Sequence, residues 1–260
     1  MSSIVGILPA AGVGRRVSGL RWRKDLYPIG WEDTLIDGVV CRRPRVVAAC
    51  SFDAMAEAGA RKMFMVVGDG GEVMRYFGAE RGGVPIAYLY QEEVRGAAFA
   101  IDLARPWLPA DHTVLFGFPD TLVEPLDAYS QMLRTHQAES ADLTLGLFPT
   151  DRPSSFGMVQ LQDNRPIALF DKPKATDCRF MYGMACWGPA ISRLQAELLR
   201  DWPGPGEAVP ADLFTSAIEH KLKVRAHIFE EGRYIDIGTA SDLNHAVDAY
   251  RDRLWTMRGI

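Results

Sequence analysis

The chain has 260 residues, 48% of them hydrophobic and 24% charged, with a formal net charge of −4. That size and composition suit one large domain or two small ones around a substantial buried core. The balanced charge argues against a general binder of nucleic acid or of membrane surfaces, and no apolar run approaches bilayer-spanning length.

The first residues show no basic region followed by a long apolar stretch, so no secretory signal is read there. Cys41, Cys50, Cys178 and Cys186 have neither metal-type spacing nor the density of a disulfide scaffold. Reduced thiols in a cytoplasmic protein are expected, and the scattered histidines suggest no zinc site.

Ile4–Leu8 is a short apolar run of the kind that forms a buried strand. It breaks at Pro9 into Ala10-Ala11-Gly12-Val13-Gly14, a loop with almost no side-chain bulk, followed by Arg15, Arg16, Arg21, Arg23 and Lys24 with no acid before Asp25. Small residues let a ligand reach backbone N–H groups, and the basic side chains can clamp a polyphosphate. The third Gly of the dinucleotide fingerprint and the Gly-Lys-Ser/Thr ending of a P-loop are both missing. An ordinary strand-to-helix turn with a solvated basic segment is the other reading of the same residues.

Further along, Trp31–Arg43 reads as irregular. A helix is expected from Val46 through Ala58, a strand at Met63–Val67, a short helix at Glu72–Phe77 and a strand at Ile86–Tyr90. The loop Gln91–Gly96 leads into a helix over Ala97–Leu108, and Thr113–Phe118 is a strand that stops at Pro119-Asp120. Strand, loop and helix repeated in this way indicate βαβ units: an α/β fold with a mainly parallel sheet and helices on both faces. Ligands of such sheets bind beyond the carboxyl ends of the strands, where Pro9–Lys24, Gln91–Gly96 and Asp120 all fall.

The second half predicts strands at Leu143–Phe148, Gly157–Leu161, Ile167–Phe170, Phe180–Cys186 and Val224–Phe229, with helices at Ile191–Leu199 and Leu213–Glu219. From Ser241 onward, Leu243, Val247, Tyr250 and Leu254 share one helical face, to be packed on the core or on a second subunit, which leaves a homo-oligomer open. Asp120 and Asp236 each end a strand. Such a pair can hold Mg²⁺ with sites left for phosphate oxygens and water, although capping a turn is the commoner task of such an Asp.

Taken together, these stretches resemble the sugar-1-phosphate nucleotidyltransferases, or NDP-sugar pyrophosphorylases. Leu8–Pro28 is similar to L-A-A-G-x-G-T-R-L…P-K-x-L-x-P, and Tyr90-Gln91-Glu92-Glu93…Gly96-Ala97-Ala98 to Q-E-x-x-x-G-x-A. Asp120 falls at the G-D metal motif, Phe156-Gly157-Met158-Val159 resembles Y-G-V-V, Asp171-Lys172-Pro173 resembles E-K-P, and Asp236-Ile237-Gly238-Thr239 resembles D-x-G-T.

The resemblance implies a Rossmann-like three-layer α/β/α fold with a central mixed, mostly parallel sheet. It would be one domain over 1–260, with a nucleotide half (about 1–120) and a sugar-phosphate half (about 121–260). Leu8, Ala10, Ala11, Gly12, Gly14, Arg15, Gln91 and Gly96 would then bind the nucleotide. Arg16 and Lys24 would be catalytic, on the β- and γ-phosphates and on the α-phosphate respectively. Gly157, Asp171 and Lys172 would face the sugar phosphate, and Asp120 and Asp236 would hold Mg²⁺.

The implied substrates are an NTP and a sugar-1-phosphate, and the products an NDP-sugar and pyrophosphate. Arg15 and Arg23 stand where the family has Thr and Pro, Pro119 replaces Gly, Asp171 replaces Glu, and Trp31–Arg42 resembles an insertion. A transferase acting on a non-sugar phosphate, or a silent nucleotide-binding homologue, are the alternatives these departures raise.

Overall fold

In a computed structural model of the protein, residues 2–12, 23–36, 38–69, 71–203, 206–238, 240–250 and 254–256 are described. The first apolar run forms β1 (Ser3–Ala10). It is followed by β2 (Pro28–Ile36) and β3 (Val39–Val46), then α1 (Val47–Glu57), β4 (Met63–Val67), α2 (Glu72–Phe77), β5 (Glu80–Arg81) and β6 (Val84–Tyr90). After α3 (Ala97–Asp102) come β7 (His112–Gly117), β8 (Thr121–Glu124), α4 (Ala128–Glu139) and β9 (Leu143–Pro149). The hairpin β10 (Gly157–Gln162) and β11 (Arg165–Asp171) precedes β12 (Phe180–Trp187). The chain then runs through α5 (Pro189–Arg200), α6 (Pro210–Glu219), β13 (Val224–Ile228), β14 (Arg233–Asp236), α7 (Ala240–Tyr250) and β15 (Leu254–Thr256).

β7, β1, β4 and β6 lie side by side and parallel, with Ile7 opposite both Phe64 and Phe116. Beyond β7 the direction reverses. β12 runs antiparallel to β7 and to β9, and β13 is parallel to β9. The β10–β11 hairpin attaches to the first residues of β12. The result is the expected mixed, mostly parallel sheet.

Pleating sends alternate residues to opposite faces. Leu8, Met63, Met65 and Leu115 pack with Phe52, Met55, Met132 and Leu133 of α1 and α4. Val5, Ile7, Val114 and Phe116 pack with Ile101, Ile191, Leu213 and Phe214 of α3, α5 and α6. Each large apolar side chain buried this way contributes about 1.5–3 kcal/mol. Three layers follow from that alternation.

Trp31–Arg43 differs from expectation. It is not irregular but belongs to a regular antiparallel hairpin, β2 on β3, with Glu32 opposite Arg43 and Leu35 opposite Val40. Its polarity is inverted. Glu32 is fully buried, whereas Trp31, Leu35 and Val40 are 52–56% exposed.

The buried face holds because Glu32 accepts hydrogen bonds from Arg43 (2.8 Å), Arg45 (3.1 Å), Arg81 (2.6 and 3.0 Å) and Tyr76 (2.9 Å). Asp53 of α1 takes further bonds from Arg81 (2.7 and 2.9 Å) and pairs with Arg45 at 2.7 Å. Burial alone would raise the Glu32 carboxyl, but the guanidiniums of Arg81 and Arg43 outweigh it and hold its pKa down to about 2.

Three smaller differences have local causes. The helix expected over Ala97–Leu108 stops at Asp102 and gives way to a 3₁₀ turn at Arg105–Trp107, since Pro106 cannot continue it. β8 and α4 fill the stretch after Asp120, where no element was expected. Leu254 does not extend the α7 face: the helix ends at Tyr250, and β15 instead pairs in parallel with β2. Leu243, Ala246 and Tyr250 pack on Ile29, Val47, Leu122, Ile235 and Ile237, so α7 covers the core of its own chain.

Candidate active site

Parallel strands end at one edge of the sheet, and their loops gather there. Pro9 and Ala10 at the end of β1 pair with Val66 and Val67 at the end of β4, and Gln91 donates its backbone N–H to the Val67 carbonyl at 2.9 Å. Ala10 and Ala11 are buried, while a side chain at Gly12 would meet nothing within 4 Å. A ligand can therefore approach the backbone at Gly12. The Leu8 side chain belongs to the core beneath. Gly14, Arg15 and Arg16 lie outside the described residues.

Gly96 precedes α3 with φ +98°, in the region that favours glycine, and a β-carbon there would collide with the Ala208 carbonyl. That contact ties two loops together. Ala98 N–H donates to the Ala208 carbonyl (3.0 Å), and Ala208 N–H donates to the Arg95 carbonyl (2.9 Å). The loop carrying Gln91 and Gly96 is thereby fixed against residues that precede α6.

Beside these loops lies a cleft of about 260 Å³. Lys24, Asp120, Gly157, Asp171, Lys172 and Asp236 all line it, so six residues singled out from separate stretches of sequence are brought together. Leu8, Ala10, Ala11, Gly12, Gln91 and Gly96 are not in its lining. They belong to the neighbouring strand ends, and Ala97, next to Gly96, is where the two regions touch.

Pairing of β8 with β14 brings the two acids to the same end of one strand pair. Asp236 is opposite Thr121, and Ile237 N–H donates to the Asp120 carbonyl at 3.0 Å. Gly238 leaves room for the Asp236 carboxylate, whose Oδ2 lies 2.9 Å from where a β-carbon would stand. Tyr234 is on the same face of β14. Burial, followed by the charges of Asp236 and Asp120, raises its hydroxyl well above the usual phenol range.

Lys24 also lines the cleft and forms an ion pair with Asp120. The β10–β11 hairpin contributes Gly157 and Asp171 to the lining. Gly157 packs on the Tyr182 ring, and Lys172 N–H bonds the Phe156 carbonyl at 3.0 Å.

Two carboxylates lining one cleft, with water or phosphate oxygens to complete the shell, suit a hard cation such as Mg²⁺. Among the described residues no group of three or more His, Cys, Asp or Glu could hold a metal. Any ion here takes the rest of its shell from ligand and water. The donor set fits on those terms.

Tyr234, Phe118, Ser155 and Glu207 also line the cleft and were not expected. Tyr234 was legible as the residue two before Asp236 on a strand. Glu207 sits in a Pro- and Gly-rich loop with no pattern to betray it. A larger cavity, about 360 Å³, is lined by Arg45, Asp53, Arg81 and Tyr250 and shares no residue with the cleft. Arg45, Asp53 and Arg81 are paired with one another there, as described above. Among the described residues no helix is long and apolar enough to cross a membrane.

Comparison with known proteins gives a family model described as "Nucleotidyl transferase", which matches residues 7–253. A glucose-1-phosphate thymidylyltransferase of Streptomyces antibioticus is 28% identical over 198 residues, covering 74% of this chain and 53% of that one. Other curated relatives match over about a third of their own length.

Among solved structures, a Bacillus anthracis protein provisionally assigned as a glucose-1-phosphate thymidylyltransferase superposes with a TM-score of 0.82. It is 19% identical, with 97% of each chain covered. The inositol-1-phosphate CTP transferase of T. maritima gives 0.74 at 14% identity, with 98% and 99% covered. At those identities the structures share the fold.

Proposed function

Because this chain belongs to the nucleotidyl transferase family, we propose that it joins an NTP to a sugar-1-phosphate, giving an NDP-sugar and pyrophosphate. The observation that carries this reading is the convergence of Lys24, Asp120, Asp236, Asp171 and Lys172 on one cleft at the carboxyl ends of the parallel strands. In this proposal the nucleotide half (about 1–120) and the acceptor half (about 121–260) meet there. The glucose-1-phosphate thymidylyltransferase relative is one guide to the acceptor class.

The reaction is an in-line attack by an acceptor phosphate oxygen on the α-phosphorus, with pyrophosphate leaving. A phosphate monoester is largely ionised near neutral pH, so no residue has to remove a proton. The protein's task is to hold two anions together and in line.

Backbone groups at Ala10–Gly12, with Gln91 and Gly96, would receive the nucleoside. Lys24 would hold the α-phosphate, Arg16 the departing phosphates, and Lys172 the acceptor's phosphate. Gly157 and Asp171 would face the acceptor's hydroxyl groups. Asp120 and Asp236 would hold Mg²⁺, which when bound supplies positive charge to the phosphates.

The test is pyrophosphate release with Mg²⁺, crossing the common NTPs with glucose-1-phosphate, other sugar-1-phosphates and inositol-1-phosphate. Turnover with a sugar phosphate is expected. Turnover with inositol-1-phosphate alone would move the acceptor outside the sugars. Silence across the panel, with nucleotide still bound, would favour a non-catalytic binding protein.

A further inference from the structure

The ion pair between Lys24 and Asp120 is half-closed to water, with the two side chains 23% and 12% exposed. Both backbones are anchored. Next to Lys24, buried Asp25 is gripped by Arg23 (2.8 and 3.1 Å), which also donates to the Ala10 carbonyl. The turn is closed by Leu26 N–H on the Arg23 carbonyl (3.1 Å) and Tyr27 N–H on the Lys24 carbonyl (3.2 Å), and the Tyr27 carbonyl accepts from Val47 of α1 (3.0 Å). Asp120 is held by Ile237. What can move is the four-carbon stem of Lys24.

We propose that Lys24 guards Asp120. In the nucleotide-free protein its ammonium occupies the carboxylate that the divalent cation needs, and an arriving α-phosphate draws it away. The inference rests on the metal and phosphate roles proposed above.

A doubly charged ion placed on a carboxylate already held by an ammonium brings like charges within a few ångströms, so the two compete. Without any cation, Asp120 would be a poorly hydrated and unpaired charge, and Lys24 relieves that cost. Once a phosphate takes the ammonium, the carboxylate becomes available. Nucleotide and cation then assist each other's binding, and linkage makes the assistance reciprocal. The cleft is loaded with metal chiefly when it is loaded with substrate.

The experiment uses Mn²⁺ as a paramagnetic substitute, titrated by electron paramagnetic resonance into the nucleotide-free full-length protein. Wild type, Lys24→Met, Asp120→Asn and the double variant are compared, each checked by a thermal melt. Lys24→Gln replaces the methionine variant should that one not fold.

Removing Lys24 should tighten Mn²⁺ binding about tenfold, a typical coupling between interacting sites, and the gain should vanish in the double variant. If Asp120→Asn weakens binding but the Lys24 variant is no tighter than wild type, the guard is refuted and the metal assignment stands. A Lys24 variant that binds no Mn²⁺ refutes it equally. Affinities unchanged by Asp120→Asn, alone and beside Lys24→Met, would overturn the metal assignment and the guard with it.

Discussion

Under the β2–β3 hairpin, Glu32, Arg43, Arg45, Asp53 and Arg81 interlock with Tyr76, and each Glu32 oxygen receives at least two donors. In the cleft, Lys24 and Asp120 are partly wet, and Lys172 and Asp171 are 49% and 41% exposed and only 3.9 Å apart at their nearest charged atoms. The hairpin network is denser in charge and drier, yet its groups are committed to one another. In the cleft, Lys24 and Lys172 carry their charges on flexible four-carbon stems, which suits binding a phosphate. Charge density alone would have chosen the hairpin. Availability separates the structural cluster from the candidate functional one.

Glu32→Ala tests the first half of that contrast most severely. It strips a common acceptor from buried guanidiniums and should cost about 3–5 kcal/mol of stability, read from urea melts. Activity per folded molecule should be retained. Asp236→Asn is the converse. Turnover should fall about 10²–10³-fold, equivalent to about 3–4 kcal/mol, with little change in the melting curve. A variant that unfolds instead would assign Asp236 to the scaffold.

Acid separates the two regions in the wild type. The Glu32 pKa lies near 2 in the folded protein, against an ordinary value of 4.5. Its contribution is therefore complete above about pH 4.5 and is lost as pH falls toward 2, on the order of 3 kcal/mol in all. Melting temperature followed over pH 2–6 should show that loss, and Glu32→Gln should flatten it.

The smallest effect is expected at Lys172, whose side chain is half exposed. Lys172→Met should raise the acceptor KM about tenfold with the nucleotide KM unchanged, and shift stability by less than about 0.5 kcal/mol. An equal rise in both KM values would break its assignment to the acceptor.

The parallel strands were legible because each is a short, continuous apolar run buried on both faces, as in Met63–Val67. The cleft residues were legible because small, basic or acidic residues fall where those runs stop. The hairpin was not. Its strands do alternate, but with Glu32 and Arg45 inside and Trp31 and Leu35 outside, so the rule that polar means exposed gave an irregular segment. Its partner Arg81 is remote in sequence, and no local pattern announces it. α4 was missed for a related reason. Its buried stripe, Ala128, Tyr129, Met132, Leu133 and His136, has helical spacing, but ends in a histidine that is buried only because it finds Thr144 at 3.0 Å.

The pairing of β15 with β2 has a consequence for biosynthesis. Leu254 leaves the ribosome long after Trp31, which lies opposite it. Until residue 254 has been made, the hairpin must therefore wait with one edge bare and Trp31, Leu35 and Val40 open to water or a chaperone. So distant a closure is entropically costly and forms late. A nascent chain arrested before residue 254 should present that edge to holdase chaperones, and completion of β15 should end the engagement.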